Sequence, residues 1–223
     1  MKDTFVALKR HLGSVIQSNK ERRHHLVGPS SLWMMKRDFQ IQFLKKMGLK
    51  PEHYLFDIGC GTLRGGIPII DYLNNGHYFG SEVRPEVLEE GQQELRDAGL
   101  DIKNPTLIHS PDISKISIDQ KFDFIWAFSV LIHMNDDILR DTLRFVSNHL
   151  SDDGAFYTNV NIGEKNEGNW QEFPVVWRTL EFYNQECFKN NLNFVDIGSL
   201  KSHGHRSNIE SQDNQTMLCI TKK

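Results

Sequence analysis

The spacing of apolar and polar positions divides the chain into helices first and then short strands. Phe5, Leu8, Leu12 and Val15/Ile16 recur at helical spacing, which predicts an amphipathic helix over residues 3–18. A polar, basic break follows from Asn19 to His25. Gly28-Pro29-Ser30-Ser31 reads as a turn with an N-cap serine at its end. A second helix then runs from about Leu32 to Met47, with Trp33, Phe39, Leu44 and Met47 as core positions. Gly48 ends it and Pro51 prevents its continuation. From here the period shortens. Apolar runs of strand length stand at Tyr54 to Ile58, His77 to Val83, Pro105 to His109 and Phe122 to Phe128. Three more stand at Ala155 to Val160, Asn193 to Leu200 and Met217 to Thr221.

Helical patterns fill the gaps between these strands. Ile67 to Leu73 is one, and Pro85 to Ala98 is another, stopped by Gly99. Asn135 caps a third, whose Leu139, Leu143, Val146 and Leu150 form one face before Asp153-Gly154 turns into the fifth strand. Val176, Leu180, Tyr183 and Cys187 give the last long helix its buried stripe. Gly163 to Gln171 reads as a polar loop ending in Trp170, and a long polar loop separates the last two strands. Strands alternating with helices predict an α/β fold with a seven-stranded, mostly parallel sheet and helices on both faces.

Composition adds limits to this picture. A chain of 223 residues, 39% hydrophobic and 25% charged, suits one α/β domain plus an N-terminal extension. The expected division is a helical extension over residues 1–49 and a domain over 50–223. The first helix packs on the core, on a second subunit as a homodimer arm, or over the site as a lid. No window is apolar enough for a membrane span, and no signal-peptide pattern opens the chain. Cys60, Cys187 and Cys219 are widely spaced with no CxxC, which points to a reducing compartment, the cytoplasm by default, and to no structural zinc. Charge is uneven. Residues 1–50 hold 11 Lys/Arg against 3 Asp/Glu, a balance of +8; the remainder balances at −11. The basic arm suits an anionic substrate, nucleic acid or a membrane surface, or is a solvated helix face.

The chemistry concentrates in Tyr54 to Gly66, YLFDIGCGTLRGG. A strand that ends in glycines and re-enters a helix lets backbone approach a nucleotide-sized ligand. A dinucleotide fingerprint needs a small third residue, and Arg64 stands there. No Gly-Lys-Ser/Thr follows for a phosphate loop. Asp57, just before the first glycine, would repel a pyrophosphate but suits a cationic ligand. The stretch Asp57-Ile58-Gly59-Cys60-Gly61 resembles the first motif of the class I S-adenosylmethionine-dependent methyltransferases. Glu82 lies some twenty residues past the turn, where a carboxylate can take ribose hydroxyls. Asp112 follows the third strand, where the family places an acid against the adenine. The resemblance implies a Rossmann-like sheet with an antiparallel last strand and S-adenosylmethionine as cofactor. It assigns the cofactor to Asp57, Gly59, Cys60, Gly61, Arg64, Glu82, Val83, Asp112, Ile113 and Phe128.

The acceptor side is less explicit. The run FDFIWAFSVLIHM resembles the small-molecule branch and has no Asp/Asn-Pro-Pro-Tyr/Phe. His133 is either a general base or a group that holds loop backbone; His205 is the other candidate base. Tyr157, Asn159, Asn161, Trp177 and Arg206 are candidates to orient an acceptor, because they lie beyond strand ends or on the rim. His203 and His205 lack a third spaced ligand, so no metal is expected. The implied activity is methyl transfer to an oxygen, less readily a nitrogen, of a small acceptor that is sugar-like or anionic. RNA or protein methylation through the basic arm is the alternative, weakened for RNA by the absence of a recognised RNA-binding module. A cofactor-binding subunit without turnover is a third.

Overall fold

Leu55–Ile58 (β1) is buried at all four positions, and the other strands assemble around it. The computed structural model describes residues 20–164 and 166–223. β1 pairs in parallel with Tyr78–Glu82 (β2) on one side and Phe122–Ala127 (β4) on the other. Thr106–His109 (β3) extends the sheet beyond β2, and Leu150–Val160 (β5) extends it beyond β4. Phe173–Val176 (β7) pairs with Asn166–Trp170 (β6) as a separate hairpin. Thr216–Lys222 (β9) runs antiparallel to both β5 and Leu192–Ser199 (β8). The seven-stranded order is β3-β2-β1-β4-β5-β9-β8. Strand order reverses between β1 and β4, and open α/β sheets bind ligands outside the carboxyl ends at such a switch point.

Helices cover both faces. Trp33–Lys46 (α1), Gly66–Tyr72 (α2) and Pro85–Asp97 (α3) pack Phe39, Phe43, Ile69, Ile70, Leu88 and Leu95 on one side, around Trp126. Asp136–His149 (α4) and Leu180–Lys189 (α5) bury Leu139, Leu143, Val146, Tyr183 and Cys187 on the other, around Phe56 and Ile125. Asn135 caps α4 as expected, its Oδ1 accepting the Ile138 N–H at 2.9 Å. No helix among the described residues is long and apolar enough to cross a membrane.

Four local expectations change. The break at Asn19 to His25 is helical over residues 20–25. Its Arg23 is buried against α3, 2.7 Å from Asp97, and His24 stacks on Trp33 at 3.6 Å. Neutralisation by a distant helix turns a polar stretch into a packed one, which local polarity does not show. The loop from Gly163 to Gln171 carries β6 and turns into β7, so Val176 lies on a strand and not on the last helix. Leu150 opens β5 instead of closing the helical face, and the pairing of β5 with β4 shifts register between Phe122 and Phe124. The amphipathic helix over 3–18 lies outside the described residues.

Candidate functional site

β1 brings Asp57 to the carboxyl edge of the sheet, almost fully buried, where its Oδ2 accepts the Tyr78 hydroxyl at 2.7 Å. Burial, with the Glu82 charge adding to it, pushes the Asp57 carboxyl up to about 7, while the Tyr78 hydrogen bond holds it down. The chain then turns through Gly59 and Gly61, both at positive φ, +70° and +58°. A Cβ on Gly59 would lie 2.7 Å from Val130 Cγ2, so only glycine lets this turn sit against the loop after β4. Cys60 is buried and its N–H donates to Ser81 O, tying the turn to β2. Arg64 closes the turn, buried, with Nη1 donating to Val27 O at 2.9 Å.

Glu82 ends β2 and locks the turn from the other side. Its Oε2 accepts the Gly61 N–H at 3.0 Å, and its Oε1 accepts the Val83 and Arg84 N–H groups at 3.1 Å each. A carboxylate has about four acceptor positions, so these bonds fix the group and leave capacity for a hydroxyl. Asp112 lies past β3 and caps a short 3₁₀ turn over Ile113–Lys115: its Oδ1 accepts the Ser114 N–H at 3.0 Å. These Ser114 hydrogen bonds hold its carboxyl below the usual range. One cavity of about 860 Å³ unites these groups. Asp57, Gly59, Cys60, Gly61, Arg64, Glu82, Val83, Asp112, Ile113 and Phe128 all line it. Three carboxylates at the ends of three parallel strands, with backbone free to approach between them, fit a nucleoside that carries a positive centre. The donor set therefore accommodates S-adenosylmethionine.

The comparisons agree. A family model described as a methyltransferase domain matches residues 56–156. Over this stretch the chain is similar to a methyltransferase domain. Among solved structures, an S-adenosylmethionine-dependent methyltransferase from Clostridium acetobutylicum ATCC 824 is 18% identical, with a TM-score of 0.64, over 85% of this chain and 92% of that one. Magnesium protoporphyrin IX methyltransferase from Synechocystis PCC 6803, with bound S-adenosylmethionine, is 13% identical at a TM-score of 0.66, over 98% and 96%. A glycopeptide N-methyltransferase complexed with S-adenosyl-L-homocysteine is 13% identical at 0.65, over 84% and 90%. At these identities the likeness is one of fold.

The fold brings only some of the acceptor candidates to the cavity. His133 lines it, as do Asn161 and Trp177. The His133 Nδ1 lies 2.8 Å from Pro174 O, and the ring packs near Trp170 and Phe173 on the hairpin. The other four do not line it. Tyr157 sits in the core against Phe43 and Phe124. Asn159 is consumed internally: its Oδ1 accepts the Ser129 N–H at 2.7 Å and its Nδ2 donates to Gln215. That bond supports Ser129 at φ +61°, the strained residue after β4. Arg206 donates to the carbonyls of Lys201 and His205. His205 is buried, its Nδ1 2.6 Å from Asp213 Oδ1, and stands edge-on to Phe39 at 5.0 Å. Alternation along β5 and loop packing decide these orientations, and position beyond a strand end does not. Among the described residues no group of three or more metal-ligating side chains forms.

Several lining residues carry no motif. Val27, Gly28, Lys36 and Gln40 come from the N-terminal segment, Trp170 and Phe173 from the hairpin, and Gln212 and Gln215 from the last loop. Of these, Trp170 and Phe173 were legible as aromatics following the end of the fifth strand, which can stack on a ring or cover the core; the others carry no local signal.

Proposed function

We propose that the chain is an S-adenosylmethionine-dependent methyltransferase and that it acts on an oxygen of a small, ring-bearing acceptor, a sugar or a surface-polysaccharide precursor. One observation carries this reading. The cavity that the carboxylates line is lined also by Trp170, Phe173 and Trp177, with His133 beside the first two. Aromatic faces take a sugar or planar ring, and a hairpin wall favours a small guest over a polymer. Two of the structural relatives have names that refer to a glycopeptide and a porphyrin, neither of them a large polymer.

Bound S-adenosylmethionine would supply a methyl group already activated at sulfur, with Asp57, Glu82 and the glycine turn to hold it. The chain then has to align the acceptor and exclude water. His133 has a further role. The nitrogen facing the Pro174 carbonyl carries the proton, which leaves Nε2 free to accept one from a hydroxyl. Burial lowers the His133 pKa and keeps the ring neutral near pH 7.

The test supplies methyl-labelled S-adenosylmethionine with panels of nucleotide sugars, free sugars, phenols, mixed RNA and unrelated proteins. Label is expected in a sugar or another small hydroxyl acceptor; label only in RNA or protein would overturn the reading. With that acceptor in hand, His133→Ala should lower kcat about a hundredfold while S-adenosylhomocysteine still binds. A loss of a few-fold at most would remove the base role.

A further inference from the structure

Four hydrogen bonds run in series from the loop after β4 to the hairpin. The Ser129 N–H donates to Asn159 Oδ1 at 2.7 Å, and Asn159 Nδ2 donates to Gln215 Oε1 at 2.7 Å. Gln215 Nε2 then donates to Asn161 Oδ1 at 3.0 Å, and Asn161 Nδ2 donates to Val176 O at 3.1 Å. Strand geometry assembles the three amides, all buried. Asn159 and Asn161 share a face by the two-residue period, and the pairing of Val160 with Thr216 sets Gln215 beside them. The direction of the chain is fixed at both ends. A backbone N–H is met only by an acceptor, and a backbone carbonyl only by a donor. Each amide between them therefore has one orientation, accepting from the Ser129 side and donating toward Val176. An amide reversed at any link would set oxygen against oxygen and N–H against N–H, where burial makes the loss expensive.

Both ends of the chain touch the cavity's lining. Ser129 sits at φ +61°, a conformation a serine keeps only when it is held. Its neighbours Phe128 and Val130 line the cavity, and Val130 packs against Gly59 of the glycine turn. At the other end Val176 precedes Trp177, which also lines the cavity, as do Asn161 and Gln215 themselves. We propose that Asn159, Gln215 and Asn161 are positioning residues: a one-way amide chain that holds the loop against the glycine turn and the segment bearing Trp177 at a fixed spacing across the cavity. Gln215 is the link that neither β5 nor the hairpin supplies. The last loop thereby sets both walls.

Gln215→Glu in the full chain tests the direction, because a protonated carboxyl both accepts and donates whereas a carboxylate only accepts. Burial raises the introduced carboxyl above its usual value of about 4.3, so the chain is whole at about pH 5 and broken at about pH 9. Calorimetry with S-adenosylhomocysteine reads the donor wall, with variant and wild type compared at the same pH. Affinity should stay within about twofold of wild type at the lower pH and fall at least about fivefold below it at the higher, the worth of one hydrogen bond. Hydrogen exchange reads both walls. Protection of the Ser129 N–H, and of the Arg178 N–H that donates to Asn161 O, should match wild type at the lower pH and drop at the higher. Gln215→Leu should show both losses at either pH. If Gln215→Glu does not fold, Asn161→Asp makes the same test, since that side chain accepts from Gln215 and donates to Val176. Equal losses at the two pH values, no loss at either, or a change in protection confined to the residues around Gln215 would overturn the chain. The calorimetric arm rests on the donor reading. A wild-type chain that does not bind S-adenosylhomocysteine would defeat that reading, and exchange at Ser129 and Arg178 would still decide the chain.

Discussion

Gly65→Ala offers a clean test of how α1 is held against the site. Gly65 precedes α2 at φ −79° and ψ −31°, a conformation open to any residue. Helix propensity alone would favour alanine by up to about 1 kcal/mol. Packing opposes it, because a Cβ there would lie 2.2 Å from Gln40 Oε1. That oxygen is the acceptor for the Trp126 indole, and both side chains are buried. Gln40 can yield only by giving up the bond. An unpaired buried N–H costs about 1–3 kcal/mol, and overpacking adds about 1–3 kcal/mol. The net expectation is a destabilisation of roughly 1–5 kcal/mol after propensity is subtracted. Urea unfolding of both single variants and the double variant measures it. In a Gln40→Ala background the clash is gone, so adding Gly65→Ala should cost no more than about 0.5 kcal/mol. A neutral or stabilising Gly65→Ala, or an equal cost in both backgrounds, would refute the reasoning.

Other expectations follow from the same geometry. Glu82→Gln turns an amide N–H₂ toward backbone N–H groups that now donate to a carboxylate; calorimetry should show S-adenosylhomocysteine weakened at least about tenfold, and unchanged affinity would sink the ribose role. Asp57 has its pKa raised to about 7, so its contribution to stability is full below about 3.8 and is lost as pH rises through about 7. Asp57→Asn lacks that loss and should gain up to roughly 4 kcal/mol on the wild type between pH 4 and pH 8, as urea unfolding at the two values would show, while binding S-adenosylhomocysteine less well. Arg206→Ala should leave the acceptor KM within about twofold, since its guanidinium bonds loop carbonyls away from the cavity; a large rise would place it back at the site.

The residues expected to hold the donor line one cavity because their placement is local. Asp57, Gly59 and Gly61 stand within five residues, and the sheet carries them to one edge whatever else the chain does. Glu82 was readable for the related reason that a strand-helix-strand unit has a nearly constant length. The acceptor half was not. Tyr157 and Asn159 stand near the end of the right strand, yet one packs into the core and the other holds Ser129. The hairpin escaped notice because its strands are short and polar and lack an apolar alternation.

By itself, the sequence determined the alternation of strands and helices in the main sheet, its mostly parallel course and the glycine turn at its edge, since hydrophobic period and glycine chemistry act over a few residues. Tertiary structure alone decided that residues 20–25 are helical, since Arg23 finds its carboxylates on α3. It also decided that the N-terminal segment lines the cavity, where Lys36 and Arg64 stand together. Burial and long-range charge are sums over the whole fold, and no window of sequence contains them.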